Sequence, residues 1–152
     1  MDDFGYMREA MQLADKAAAM GEIPVGAVVV DRLTGAIIGR GYNRRECDSR
    51  PTAHAEILAI EEAARSRGSW RLTDTTLYVT LEPCPMCSGA IINARITRVV
   101  FGAYDPKAGA VCSVEQMFRL PYNHAPRVTA GLLEIPCAAQ LSSFFRNIRD
   151  KT

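Results

Sequence analysis

Nothing in this sequence approaches the ~20 consecutive apolar residues that a membrane-crossing helix needs, so no membrane association is expected. No apolar run follows Asp2 and Asp3, which points away from a secretory leader. Charge of one sign is lacking too. Lys and Arg number 18 against 17 Asp and Glu, so the net charge of +1 gives no hint of a nucleic-acid partner. Its distribution is slightly more suggestive: residues 1–70 hold 9 basic against 11 acidic side chains, whereas residues 71–152, including Arg119, Arg127, Arg146, Arg149 and Lys151, hold 9 against 6. There is no internal repeat, linker or low-complexity segment. Cys84-x-x-Cys87 has no second Cys-x-x-Cys beside it and no His-x₃-His, the partners a four-donor structural zinc site would want. Five cysteines, an odd number around an intact Cys-x-x-Cys, argue for a reducing, cytoplasmic setting, with Cys47, Cys112 and Cys137 as packing residues.

What is present is concentrated in two short stretches. In Pro83-Cys84-Pro85-Met86-Cys87, Pro85 suits the first position of a helix, where its missing N–H costs nothing and its φ is already helical. Cys84 is then the N-cap and Cys87 the third helical residue, the two positions whose side chains meet at a helix end. Both sulfurs lie at the positive end of the helix dipole, which favours thiolate. The second stretch is Pro51-Thr52-Ala53-His54-Ala55-Glu56, another helix start, with Thr52 as the expected N-cap. In mid-helix, residues two apart diverge by about 200°, but at a helix N-terminus both can converge on a point off the helix end. The reading is two helix N-termini facing one zinc ion, with His54, Cys84 and Cys87 as ligands and the fourth position open to water, as in a catalytic site. Glu56 stands beside it as proton carrier. A Cys-x-x-Cys alone would equally suit a redox pair or half of a zinc ribbon, and a lone histidine is more often a core residue. The combination of the two motifs is far more specific than either part.

His-x-Glu followed downstream by Pro-Cys-x-x-Cys resembles the zinc nucleobase deaminases. The resemblance continues through Pro24–Val28, Gly41–Arg44, Thr76–Glu82, Arg98–Ala103, Cys137–Ala139 and Phe144–Arg146, and over nearly the whole chain it is closest to the bacterial tRNA-specific adenosine deaminases. It implies a zinc hydrolase, one Zn²⁺ per subunit, that converts adenosine to inosine at the wobble position of a tRNA anticodon stem-loop through a zinc-activated water, with Glu56 shuttling the proton. It also implies a homodimer, and a contact between Asn43 and the target nucleotide; on its own chemistry Asn43 is a turn residue. Arg50 departs from the resemblance, which has an acidic residue before the Pro-Thr-Ala-His-Ala-Glu run. Two alternatives stand beside this reading: a deaminase of free guanine or cytosine, and a non-catalytic zinc-stabilised interaction domain.

Taken in order, the 152 residues suit a single α/β domain, 1–152, cytidine-deaminase-like, with three layers (α/β/α) around a five-stranded mixed sheet. The periodicities predict a helix over about 4–20, strands at 25–30 and 36–41 joined as a hairpin, and a helix at 53–67. They go on to predict a strand at 76–81, a helix from 85 to about 95, a strand at 99–103, a short helix at 114–119, a strand at 128–135 and a terminal helix at 136–149. Gly26 inside the first strand calls for either a bulge or something close to the backbone, such as a bound base. On the terminal helix, Leu141, Ile148 and one of Phe144 and Phe145 share a stripe, so one aromatic faces inward. The outward one, taken as Phe145, stands with Arg146 and Arg149 as a candidate RNA contact; simple solvation of those arginines is the competing reading.

Overall fold

The structure, a computed structural model, describes residues 1–150; Lys151 lies outside them. The elements run α1 (Asp3–Ala19), β1 (Gly26–Asp31), β2 (Ile37–Tyr42), α2 (Ala55–Arg67), β3 (Thr75–Leu81), α3 (Pro85–Ala94), β4 (Arg98–Ala103), β5 (Arg127–Ala130) and α4 (Glu134–Asp150), with one 3₁₀ turn at Met117–Arg119. The strands form one sheet in the order β2-β1-β3-β4-β5. β1 pairs antiparallel with β2 and β3, while β3, β4 and β5 run parallel. The sheet is therefore mixed and five-stranded, as the sequence predicts.

Because strand side chains alternate between faces, the apolar strands bury both sides. Ala27, Val29, Leu77, Val79, Val99 and Phe101 face Ala55, Ala59 and Ala63 of α2 and Ile91 of α3. Val28, Val30, Tyr78 and Val100 face Tyr6, Met7 and Ala10 of α1 and Cys137 of α4. The result is three layers. The glycines of the first hairpin set how closely those layers approach. A Cβ on Gly26 would strike the backbone of α1 at Ala10 and Ala14, so a helix, and neither a base nor a bulge, explains that glycine. The register shift of this hairpin lies between Val29 and Val30.

The C-terminal third departs from the sequence reading. β5 stops at Ala130 instead of running to Ile135. Gly131 (φ 79°) and Leu133 (φ 55°) are left-handed, and the Gly131 and Leu132 N–H groups both turn back to the Phe101 carbonyl. The chain then enters α4 two residues before Pro136, which sits in the first turn where its missing N–H is harmless. The helix predicted at 114–119 shrinks to one 3₁₀ turn: the Met117 N–H turns back to the Ala110 carbonyl, and the Arg119 and Leu120 N–H groups reach only three residues back, to Gln116 and Met117, so no i→i−4 ladder forms. On α4, only Cys137 is fully buried; Leu141 packs against the α1 side of the core, but Ile148 is 46% exposed, so the apolar stripe ends before it.

Candidate metal centre and active site

Parallel strands deliver their C-terminal ends to one side of a sheet, where open α/β folds gather their ligands. β3 ends there and leads through Glu82 and Pro83 to Cys84, the N-cap of α3, with Pro85 following at the first helical position. β1 runs antiparallel to β3, so the start of β1, the end of β2 and the N-terminus of α2 lie at that same side. The N-cap of α2 is His54 itself, not Thr52, and the helix begins at Ala55. The reason lies in Asn43: its Oδ1 accepts the Ala55 N–H at 2.9 Å, and its Nδ2 donates to the Ile23 carbonyl at 3.1 Å. Neither the His54 nor the Cys84 side chain makes a capping hydrogen bond, so both N-cap side chains are free to face one another.

They meet. His54 Nδ1 lies 3.6 Å from Cys84 Sγ and 3.6 Å from Cys87 Sγ, and the three atoms lie within 4.8 Å of one another. Tetrahedral zinc, with bonds of about 2.0–2.1 Å to nitrogen and about 2.3 Å to sulfur, holds such atoms about 3.6 Å apart, so the donor set fits the ion. Among the described residues no fourth histidine, cysteine or carboxylate joins the cluster. The sulfurs, left to themselves, share one proton. Cys84 is drawn down to about 4, first by the Cys87 thiol, then by His54 against the cost of burial, while Cys87 is pushed far up by the Cys84 thiolate and by burial. The His54 imidazole is raised, chiefly by its contact with Cys84.

Glu56, at the second position of α2, is 4% exposed. Burial pushes its carboxyl up to about 7, with the Cys84 thiolate adding to the rise and His54 opposing it. A buried carboxylate held near neutrality beside a metal cluster is suited to carrying protons at physiological pH.

Of the remaining candidates, Asn43 (8% exposed) lines a cleft of about 280 Å³ together with Gly21, Glu22, Ile23, Phe144 and Phe145. Phe145 is the outward aromatic, 43% exposed, and Phe144 is half-buried against it edge-on. Arg146 and Arg149 are exposed on the same helix but do not line this cleft. A larger groove of about 570 Å³ runs between α1 and α4, away from the metal ligands. Arg50 lies 3.8 Å from Glu61 of α2, a loose exposed pair that leaves the metal cluster untouched. Two residues escaped the sequence reading: Glu22 and Glu82, each 2% exposed. Glu22 accepts the Glu46 and Cys47 N–H groups and so holds the loop after Asn43. Nothing in the spacing of either glutamate distinguishes it from a solvated one.

Structural zinc sites close all four positions with protein atoms. Three protein donors with a buried carboxylate beside them define instead a zinc-dependent deaminase of the His-x-Glu/Cys-x-x-Cys kind. The sequence model of the cytidine and deoxycytidylate deaminase zinc-binding region matches residues 2–103, which include all three donors and Glu56. A tRNA-specific adenosine deaminase from Bacillus subtilis (strain 168) is 51% identical over 149 residues, covering 96% of this chain and 90% of that protein. A solved structure from work on A-to-I editing by tRNA:A34 deaminases at the wobble position of transfer RNA superposes with a TM-score of 0.86 at 45% identity, covering 90% of this chain and 99% of that one. A guanine deaminase from Nitrosomonas europaea is more distant, with a TM-score of 0.79 at 26% identity, covering 94% and 84%. The chain belongs to the zinc-binding cytidine and deoxycytidylate deaminase family, and within it to the tRNA-specific adenosine deaminases.

Proposed function

We propose that this protein hydrolyses the 6-amino group of the wobble adenosine in a tRNA anticodon loop, giving inosine and ammonia. The observation that carries the chemistry is the His54–Cys84–Cys87 cluster beside buried Glu56. The choice of RNA rests on the similarity to the tRNA-specific enzymes over nearly the full length, which is higher in identity than that to the guanine deaminase. An unpaired anticodon base enters a pocket at little unstacking cost.

His54, Cys84 and Cys87 would hold the zinc, whose Lewis acidity, once bound, lowers the pKa of a water towards ~7. Glu56 takes a proton from the attacking water and delivers it to ring N1, which makes C6 electrophilic. The water oxygen bonds to C6; Glu56 then takes the remaining proton from the new C6 hydroxyl and passes it to the amino group, so that the C6–N bond breaks, ammonia departs and the C6 carbonyl of inosine forms. The first-turn amides of α2 and α3, which no side chain of their own N-caps satisfies, give the site a positive field for negative charge developing on the purine. Asn43 fixes the start of α2 through its Oδ1 and lines the adjoining cleft, so we assign it to nucleotide contact as well as to helix capping. Phe145, with Arg146 and Arg149 along α4, is assigned to the RNA strand flanking the target. The chain acts as one domain over 1–152, in the cytoplasm and as a homodimer.

Ammonia release tests the reading. Anticodon stem-loop RNA with adenosine at the wobble position should be turned over, and free guanine and cytosine should not. Turnover of free guanine or cytosine without RNA would replace it with the free-base deaminase alternative.

A further inference from the structure

Glu82 stands two residues before Cys84, buried, at the end of β3. Its Oε2 accepts the N–H groups of Val111 (3.2 Å), Cys112 (2.7 Å) and Ser113 (2.9 Å); its Oε1 accepts the Asp105 N–H (3.1 Å) and the Ser113 hydroxyl. Both ends of the 105–113 segment are therefore fastened to one carboxylate. Gly109 lies so close to it that a Cβ there would strike the carboxylate. The segment is also tied to the metal-ligand strand directly, because the Ala110 N–H donates to the Pro83 carbonyl at 2.8 Å. Between the anchors, Asp105 Oδ1 accepts the Lys107 and Ala108 N–H groups, and Pro106–Ala108 form an exposed tip. β3 and β4 are parallel, with Leu81 opposite Ala103, so this tip leaves the sheet at the same end as Cys84.

A core position filled only for packing would be apolar, since a buried carboxylate is tolerated only when its hydrogen bonds are made. Five donors converging on one residue specify a single conformation of the segment. We propose that Glu82 is a positioning residue for the RNA substrate: it clamps the 105–113 segment so that its tip forms a preset wall beside the metal ligands. The inference rests on the tRNA reading above. A preset wall lowers the ordering cost of binding, so its loosening is read in KM more than in kcat.

Glu82→Gln separates this from a plain folding role. The amide oxygen can keep the three N–H groups at 111–113, and the amide nitrogen can donate to the Ser113 hydroxyl, but it faces the Asp105 N–H donor to donor. One end of the segment is released. Zinc content, amide hydrogen exchange, and kcat and KM on anticodon stem-loop RNA would be measured in wild type and Glu82→Gln. The expected result is full zinc, faster exchange at 105–108, KM raised about tenfold and kcat within about twofold. Faster exchange with unchanged KM would overturn the proposal, because the segment would then be structural only. Loss of zinc would overturn it too, placing the role of Glu82 at Cys84. If Glu82→Gln does not fold, Ser113→Ala, which removes one donor, must raise KM in the same way or the proposal fails. Wild type that leaves the RNA unreacted overturns the substrate reading instead, and KM is then compared on whichever base it does turn over.

Discussion

Burial and charge act on Glu56 together. Desolvation raises its carboxyl to about 7, so in the protein alone the fraction able to accept a proton grows as pH rises through that value. A bound cation favours the carboxylate and moves the transition down. The acidic limb of kcat/KM is accordingly expected between the ordinary glutamate value of about 4.3 and 7, with activity falling as pH drops through it. Glu56→Gln should abolish the limb, retain zinc and lower kcat by about 10²–10⁴-fold or more; a limb that persists in that variant belongs to another group. Asn43 carries two roles that substitution can part. Asn43→Ala removes the cap on Ala55 and the Ile23 contact, costing about 1–2 kcal/mol in chemical denaturation as well as turnover. Asn43→Asp keeps the capping oxygen, so its stability loss should be smaller while turnover stays impaired; recovery of turnover along with stability would reduce Asn43 to a cap. The His-x-Glu and Cys-x-x-Cys spacings made the His54–Cys84–Cys87 donor cluster legible, because a helix N-terminus forces such neighbours together. That Asn43 caps α2 was not legible, since the partner lies 12 residues along the chain and only the folded hairpin brings it there.

Elements set the distances that the residues exploit. α2 lies on Gly39 and Gly41 of β2, where any Cβ would collide with the helix backbone, and this close seat fixes where His54 emerges. The sequence shows these glycines but not what approaches them, so close packing and turn propensity look alike from sequence alone. The same limit hid the end of β5: Val128–Ile135 reads as one apolar strand, and only the left-handed turn at Gly131–Leu133 cuts it short. Glu22 belongs to this scale as well. Its burial would raise the carboxyl, but the Cys47 thiol and the Cys47 and Glu46 N–H groups together hold it below the ordinary value. A group with a depressed native pKa contributes stability that is present above its unfolded value and lost as pH falls through the native one. Denaturant midpoints across pH 3–7 should therefore fall more steeply towards acid in wild type than in Glu22→Gln, which is expected to be less stable near neutrality. Parallel pH profiles would leave Glu22 with no part in holding the 43–47 loop.

At the scale of the whole molecule, a net charge of +1 hides the distribution that RNA binding needs. α4 carries Arg146 and Arg149 on its exposed side, next to Phe145. If these arginines neutralise phosphates, the Arg146→Ala/Arg149→Ala double variant should bind the stem-loop more weakly. It should also flatten the slope of log K against log salt by about 0.7 for each phosphate no longer neutralised, the single-strand value, while zinc and fold are retained. An unchanged slope would leave the arginines without a role in recognition. Fold class, layer number and the mixed sheet were legible because short apolar runs bounded by turn residues mark β1, β3 and β4, and a helical period marks α1. The RNA-binding face proposed on α4 was less so, because a solvated arginine and a phosphate-binding one have the same sequence.

One zinc site, served by Glu56, is proposed to deaminate one adenosine of a folded RNA. Position-resolved nucleoside analysis of a tRNA treated with the zinc-loaded protein puts site, base and position to a single test. Inosine is expected at the wobble position alone, with its formation slowed at least about a hundredfold in the zinc-retaining Glu56→Gln variant. Inosine spread over other adenosines, or formed equally by Glu56→Gln, would contradict it.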